Sequence, residues 1–304
     1  MQSDIHIGID LGGSKIEIVA LDPEGAELYR QRMATPAGRY EATLDAIKFL
    51  VDQTEQSLGC CGTIGIGTPG AVSKRTGFLK NSNSTCLNGR PLRDDLEYRL
   101  GRPIRFANDA DCFALSEATG GAGESASTVF GVILGTGVGG GIAVEGGLLK
   151  GPNGIAGEWG HNPLPWPREN EIPGPECYCG KRGCIETFIS GPGLSATYAR
   201  LSGHAKDARK IAELAENGDE ISEACFRLYE NRLARALSHV INILDPEVIV
   251  LGGGLSNCRR LYHHVPQIWG QYIFSDSVET RLLPPKYGDS SGVRGAALLW
   301  MSSE

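Results

Sequence analysis

Two glycine-tipped turns, each set between apolar strands and lying more than 100 residues apart, constrain the fold of this chain more than any other feature. In the first, Ile5, Ile7 and Ile9 alternate ahead of Asp10-Leu11-Gly12-Gly13-Ser14-Lys15, and Ile16, Ile18 and Ala20 alternate after it. Period-two patterning on both sides of a glycine tip predicts a β-hairpin. The stretch Val129 to Val144 repeats the design around Gly135-Thr136-Gly137-Val138-Gly139-Gly140-Gly141. A recurring unit of this kind points to a duplicated fold with one hairpin per lobe. Both turns continue as strand rather than helix, which disfavours a dinucleotide fingerprint, and the GxxxxGK[ST] phosphate loop is absent.

Between and after the hairpins the pattern alternates between helix and strand. Leu44, Ile47, Val51, Thr54 and Leu58 recur at helical spacing within Tyr40 to Leu58. Gly62 to Gly67 and Ile104 to Ala107 read as short buried strands, ended by Thr68-Pro69-Gly70 and Asn108-Asp109. Polar residues at strand ends are where α/β folds place their chemistry. Gly151 to Gly193 is too rich in Gly and Pro for regular structure. Residues 205 to 244 read as helices, with Ile221, Cys225, Leu228, Leu237, Val240, Ile241 and Leu244 on one apolar stripe. Val248 to Leu251 is a buried strand running into Gly252-Gly253-Gly254, a helix is expected from about Leu255, and Gly292 to Trp300 reads as the last helix. Two domains are therefore expected: a first lobe, 1–118, completed by a C-terminal helix at 287–304, and a second lobe, 119–286, carrying the irregular segment and a dimerisation surface.

Glycine, at 42 of 304 residues, is the compositional outlier, and it clusters in the loops named above. A net charge of −7 gives no electrostatic pull toward nucleic acid or an anionic membrane. No run of 18 apolar residues exists, and the first residues lead straight into a strand without a signal peptide, so a cytoplasmic protein is expected. Nine cysteines in such a chain argue against a disulfide framework and for metal binding where they cluster.

Glycine-rich turns let backbone N–H groups converge on an anion. Asp10-Leu11-Gly12-Gly13-Ser14-Lys15 fits this role, with Asp10 placed to hold Mg²⁺ through water and Lys15 to meet a phosphate. Gly135-Thr136-Gly137 offers a second cradle facing the first. Gly253-Gly254, after a strand, would let a planar base lie against the backbone. Phosphoryl transfer from ATP needs one carboxylate for the metal and another to accept the hydroxyl proton. Asp10 is the candidate for the first and Asp109 for the second, with the Asn108 amide beside it for a neighbouring hydroxyl.

Cys177-Tyr178-Cys179-Gly180-Lys181-Arg182-Gly183-Cys184 places three thiols within eight residues, and His161 precedes them after Glu158-Trp159-Gly160. A Cys₃His set closes a tetrahedral Zn²⁺ site, which is structural in character. Zinc on one nitrogen of His161 would aim the other at a sugar oxygen, and would anchor Glu186 two positions beyond Cys184. The remaining cysteines, Cys60, Cys61, Cys86, Cys112, Cys225 and Cys258, read as buried free thiols.

These segments together resemble the ROK family (repressors, open reading frames, kinases). Asp10 to Lys15 is similar to its first phosphate motif, with Ser14 where threonine is more usual. Gly135 to Gly141 with Glu158-Trp159-Gly160-His161 matches its signature and ExGH motif, and Cys177 to Glu186 its CxCGxxGCxE motif. The resemblance covers essentially the whole chain and implies a two-lobed, actin/hexokinase-like (ribonuclease H-like) α/β fold with a zinc-containing loop in the second lobe, and a homodimer. It implies nucleotide binding at Gly8, Ile9, Asp10, Leu11, Gly12, Gly13, Ser14 and Lys15, at Gly135, Thr136, Gly137, Val138, Gly139, Gly140 and Gly141, and at Gly253 and Gly254. It puts the base on Asp109, zinc on His161, Cys177, Cys179 and Cys184, and the sugar on Gly70, Asn83, Asn108, Asp109, Glu158, His161 and Glu186.

Within the family, Lys80-Asn81-Ser82-Asn83-Ser84-Thr85 and Gly157 to Trp166 are similar to bacterial fructokinases (mannokinases). The expected activity is ATP-dependent phosphorylation of fructose to fructose 6-phosphate. Kinases for N-acetylglucosamine, or for glucose and mannose, are the alternative. Trp159 and Trp166, if near the pocket, would crowd an acetamido group. A sugar-responsive repressor would need a DNA-binding domain ahead of Ile5, and a non-catalytic sugar sensor would need a damaged phosphate loop or a missing base; neither departure is seen in this sequence.

Overall fold

The computed structural model describes residues 5–80, 82 and 84–301. The first hairpin is β1 (His6–Leu11) with β2 (Lys15–Leu21), extended by β3 (Glu27–Ala34). Helix α1 (Tyr40–Leu58) then crosses the sheet, and β4 (Thr63–Thr68) returns parallel to β1. A small ribbon, β5 (Ala71–Val72) with β6 (Leu79–Lys80), and helix α2 (Leu92–Leu100) lead to β7 (Ile104–Asn108), parallel to β4. Helix α3 (Asp109–Thr119) carries the chain to the second hairpin, β8 (Thr128–Leu134) with β9 (Val138–Val144), edged by β10 (Gly147–Leu148). After an irregular stretch come α4 (Glu186–Ile189), α5 (Gly191–Ser202), α6 (Ala208–Glu216) and α7 (Glu220–Leu244). Strand β11 (Val248–Gly252), helix α8 (Arg260–Trp269), strand β12 (Arg281–Leu283) and helix α9 (Ser291–Leu298) complete the chain.

The sheet orders are β3-β2-β1-β4-β7 and β10-β9-β8-β11-β12. Each sheet is an antiparallel hairpin extended by two parallel strands, in the same spatial order. The duplication inferred from the two glycine tips is thus a duplication of topology.

The alternation in β1 and β4 is isoleucine against glycine, not apolar against polar. Ile7, Ile9, Ile64 and Ile66 pack with Leu44, Ile47, Leu50 and Val51 of α1. On the opposite face a Cβ on Gly8 would fall on the carbonyl of Val293, and one on Gly65 on the carbonyl of Ala296. Helix α9 therefore lies directly on the backbone of the sheet, which only glycine allows. Helix α3 covers one face of the second sheet, with Phe113 and Ala118 against Val129, Val248 and Val250. The two helices cross where Gly295 meets the carbonyl of Cys112. This α3–α9 layer joins the sheets, while α7 fills the outer face of the second through Phe226, Tyr229, Leu233 and Leu237.

Three expectations are corrected. Ile221 is exposed; the buried stripe of α7 runs through Ser222, Cys225, Phe226 and Tyr229, one position away. The helix expected from Leu255 is a single 3₁₀ turn, Gly254–Asn257, because the Ser256 hydroxyl donates to Gly253 O (2.7 Å) and the Asn257 amide to Gly254 O (3.2 Å). Such back-bonding competes with a helical ladder, and α8 starts only at Arg260. Of the isolated cysteines, Cys112, Cys225 and Cys258 are buried, but Cys60 and Cys61, just beyond the C-terminus of α1, are exposed.

Candidate functional site

Three parallel strands of the first sheet end on one edge. Asp10 pairs in register with Gly67, and Thr68 with Asn108, so Asp10, Thr68-Pro69-Gly70 and Asn108-Asp109 lie side by side. At strand spacing, Asp10 and Asn108 stand about 10 Å apart. Asn108 caps α3 by accepting from the Asp111 N–H (2.5 Å), which fixes Asp109 at the first helical position. Asp109 Oδ1 accepts from the Ala110 N–H at 2.9 Å. Its side chain keeps access to solvent, yet enough protein surrounds it to desolvate the carboxyl. That burial, followed by the nearby Glu158 charge, outweighs the backbone bonds and raises its pKa.

Asp10 is raised to about 6, first by burial and then by Asp109 and Glu17, with Lys15 opposing. Asp111 is raised to about 7 by burial, Asp109 and Glu158, with Lys150 opposing. Acids that repel one another in a cleft are the arrangement a bound cation would relieve. The Asp111 shift carries a stability consequence. Its folded value exceeds the ordinary 3.8, so the folded state holds more protons than the unfolded one between about pH 4 and pH 7. Stability contributed by this group is complete below that window and declines as pH rises through it. Asp111→Asn is therefore expected to match the parent's melting temperature at about pH 3.5 and exceed it at about pH 8. A gain that is equal at both values, or larger in acid, would refute the assignment.

The first hairpin tip is clamped from β3: the Thr35 N–H donates to Ser14 O (3.0 Å) and the Thr35 hydroxyl to Gly12 O (2.7 Å). Gly13 and Ser14 are exposed. Lys15 leans back to Glu17 (3.6 Å), a buried carboxylate that also pairs with Arg30 and Arg32. At the second tip, Gly135 and Thr136 line a cavity of about 790 Å³ together with Gly191, Pro192, Asp207, Arg209 and Gly254. Its walls include the N-termini of α5 and α6.

Several residues expected at the nucleotide are closely packed against other elements. Gly8 lies under α9, and Ile9 and Leu11 are fully buried. Gly139 and Gly141 face Ala110, Gly140 faces Gly157 and Trp159, and Gly253, at φ +79°, abuts the Leu134 carbonyl. Val138 is buried and its N–H donates to Glu186 Oε2 (2.9 Å). Asp10, Gly12 to Lys15, Gly135 to Gly137 and Gly254 remain at the tips and the strand ends.

His161, Cys177, Cys179 and Cys184 converge, their ligand atoms all within 4.8 Å of one another. Cys177 Sγ lies 3.6 Å from His161 Nδ1 and Cys179 Sγ 3.6 Å from Cys184 Sγ. A tetrahedral zinc with ordinary bond lengths requires ligand separations of about 3.6–3.8 Å, so the set fits that ion. Gly180 (φ +85°) and Gly183 (φ +71°) turn the chain around the cluster, and Cys177 N–H donates to Lys181 O at 2.8 Å. The second nitrogen of His161 meets the Tyr178 hydroxyl at 2.9 Å, so it is engaged within the loop rather than aimed at open cleft. Glu186 joins this cluster to the hairpin: Oε2 holds Val138, and Oε1 lies 4.0 Å from Cys177 Sγ.

A cavity of about 360 Å³ lies at the strand ends, lined by Thr68, Gly70, Asn108 and Asp111 from the first lobe and by Lys150, Gly154 and Ala156 from the second. Lys74, in the turn of the β5–β6 ribbon, donates across it to Gly151 O (2.9 Å) and Pro152 O (2.7 Å). Lys74, Asp111 and Lys150 were not singled out from the sequence. Asp111 had a signal, standing three residues after Asn108 in a first helical turn; the two lysines had none. Glu158 stands beside the acids of α3, whereas Asn83 lies outside the described residues. Neither tryptophan lines the cavity. Trp159 is buried edge-on to Phe130 with its N–H on Gly139 O (3.0 Å), and Trp166 packs on Tyr272. The crowding argument against an acetamido group is thereby removed.

The family model described as "ROK family" matches residues 6–303. An N-acetyl-D-glucosamine kinase of Histophilus somni (strain 129Pt) is 37% identical over 308 residues, covering 99% of this chain and 100% of the relative. Among solved structures, a ROK hexokinase from Thermus thermophilus superposes with a TM-score of 0.87 at 30% identity, covering 97% of each chain. A ROK glucokinase from Streptomyces griseus, in complex with glucose and AMPPNP, gives 0.77 at 29% identity, covering 97% of this chain and 98% of that one. Among the described residues no helix is long and apolar enough to cross a membrane.

Proposed function

The chain belongs to the ROK family, and from that premise we propose that it is a sugar kinase, transferring the γ-phosphoryl group of ATP to a primary hydroxyl of a hexose. The observation that carries this reading is the shared edge of β1, β4 and β7, which sets Asp10 and Asp109 close together, with Gly139 of the second hairpin packed on Ala110 at the start of α3. Asp109 takes the acceptor's proton, and its raised pKa strengthens it as a base. Asp10 would hold Mg²⁺, which supplies charge neutralisation at the phosphates, and Mg²⁺ would draw the Asp10 pKa back down. The 790 Å³ cavity takes the adenosine, with Gly135-Thr136 and Gly254 against it. Asn108, Glu158, Gly70, Asn83 and Glu186 form the sugar shell, and His161, with its second nitrogen on Tyr178, joins Cys177, Cys179 and Cys184 in holding one structural zinc. The lobes divide near residue 118, with the C-terminal helix joined to the first lobe, and the chain acts in the cytoplasm as a homodimer.

Two acceptors are supported by different observations. The name of the Histophilus relative supports N-acetyl-D-glucosamine, and with the tryptophans away from the cavity no crowding argument opposes it. Fructose is supported by the likeness of residues 80–85 and 157–166 to fructokinases. ADP release with Mg-ATP should be measured across N-acetyl-D-glucosamine, fructose, mannose and glucose. One of the four is expected to exceed the rest by at least about tenfold in kcat/KM, the scale set by one well-made or missing polar contact. No sugar-dependent ADP release with any of them would reject the kinase reading.

A further inference from the structure

A second cavity, of about 340 Å³, lies behind the metal-binding loop and away from the cleft, between α5, α7 and the turn at 169–171. Its wall contains a charge imbalance. Arg232 and Arg235 of α7 have side chains only 3% and 1% exposed, and Glu171, at 2%, is the carboxylate both of them pair with. Glu171 Oε1 accepts from Arg232 Nε (2.8 Å) and Arg235 Nη2 (2.9 Å), and Oε2 accepts from Arg235 Nη2 (2.9 Å) and the Arg168 N–H (2.9 Å). Its acceptor capacity is therefore used up, and one buried positive charge is left over. Arg235 spends its remaining donors on Asn231, Pro165 O and Trp166 O. Arg232 faces the cavity: Nη1 donates to the Thr197 hydroxyl (2.8 Å), the guanidinium lies 5.0 Å over the Phe188 ring, and no hydrogen-bond partner for Nη2 is found among the described residues. Arg200, also on the wall, forms no ion pair among the described residues.

A desolvated, half-compensated guanidinium is costly unless an anion completes it, and planar guanidinium pairs favour oxyanions. Asn170 lies on the same wall, while the Thr187 hydroxyl is spent on Cys184 O (2.7 Å). We propose that this cavity is a binding site for a small phosphate-bearing metabolite, separate from the catalytic cleft. The space suits a monophosphate on a small body and is under half that of the proposed adenosine cavity. Because Gly174 and Pro175 of the metal loop also line it, the ligand would touch the segment that holds Glu186.

Calorimetric titration of the full chain at fixed ionic strength tests this with two probes, inorganic phosphate and glucose 6-phosphate, on the parent and on Arg200→Ala. Arg200 is exposed and outside the cleft, so the variant folds and retains any binding at the catalytic site. The parent is expected to bind at least one probe, and Arg200→Ala to bind it at least about tenfold more weakly, the loss expected for one charge-assisted contact. Arg232→Met should abolish binding. Tighter binding of the ester than of free phosphate assigns the site to a phosphorylated metabolite, and the reverse assigns it to the ion. No heat with either probe, or equal affinity in parent and Arg200→Ala, overturns the proposal. Unchanged Mg-ATP affinity in Arg200→Ala separates this outcome from failure of the kinase reading.

Discussion

Asp109→Asn is expected to lower kcat by about 10³-fold, within the range a positioned general base contributes, while leaving the melting temperature close to that of the parent. The substitution keeps what is structural about this residue. Asparagine at the first turn of α3 still presents an oxygen to the Ala110 N–H, and the cap made by Asn108 is untouched. It removes only the ability to take a proton and the negative charge that Glu158 and Asp111 feel. Relief of that repulsion should make the variant slightly more stable, not less. The pH profile adds a second signature. Because burial lifts the Asp109 pKa, kcat/KM should rise with pH through a value above the ordinary carboxylate range, and this acid limb should be absent from the residual activity of the variant. Asp111→Asn is the internal comparison, since Asp111 sits in the same first turn of α3 and lines the cavity at the strand ends. It should cost far less turnover. Equal losses in the two variants, or retention of more than about a tenth of parental kcat in Asp109→Asn, would remove Asp109 as the base.

How much of this was legible beforehand differs by feature, for physical reasons. The hairpins and helix α1 follow from periodicity, because each buries a continuous face, and β4 and β11 follow from short, almost fully buried apolar runs. The metal cluster was legible because three of its ligands are local in sequence, and two glycines at positive φ mark the turn that gathers them. Asp109 was legible as a polar residue ending a buried strand.

The individual glycines were not. Gly8, Gly13 and Gly141 look alike in sequence, yet one lies under α9, one is exposed at a tip and one meets α3. Which backbone face approaches a ligand and which approaches a helix depends on strand register, and a sequence read alone leaves that open. The cavity cations were hidden for a related reason. Lys74 reaches Gly151 and Pro152 across 77 residues or more of chain, through a ribbon of two-residue strands too short to show periodicity. The turn at 169–171 carried no motif. The significance of Glu171 comes from meeting Arg232 and Arg235, more than 60 positions away, inside a core where charge must be counted.

The metal loop gives the other large expected effect. Cys179 is the ligand to change, because it is only half-buried while Cys177 and Cys184 are buried. Replacing it by serine opens no cavity, so any loss of stability reports on the metal and not on packing. In the parent, about one zinc per chain is expected from a closed four-ligand site, and Cys179→Ser should hold well under half of that after dialysis. Residues 151–185 carry little regular structure beyond short turns and isolated bridges, so an ion bound at the Cys/His cluster would add a fixed point to their arrangement. Its loss should therefore lower the melting temperature and expose the loop to proteolysis. The kinetic consequence should travel through Glu186. That carboxylate stands two positions beyond Cys184 and holds the Val138 N–H at the second hairpin, so freeing the loop releases a sugar-shell residue and loosens a phosphate-facing turn together. The acceptor KM should rise more than kcat falls, since Asp109 is fixed from the end of β7 by the Asn108 cap and not by the metal loop. Metal analysis, thermal melting and acceptor kinetics on one preparation decide the matter. Zinc content unchanged in Cys179→Ser would discard the ligand set, and zinc lost with an unchanged acceptor KM would confine the metal to stability alone.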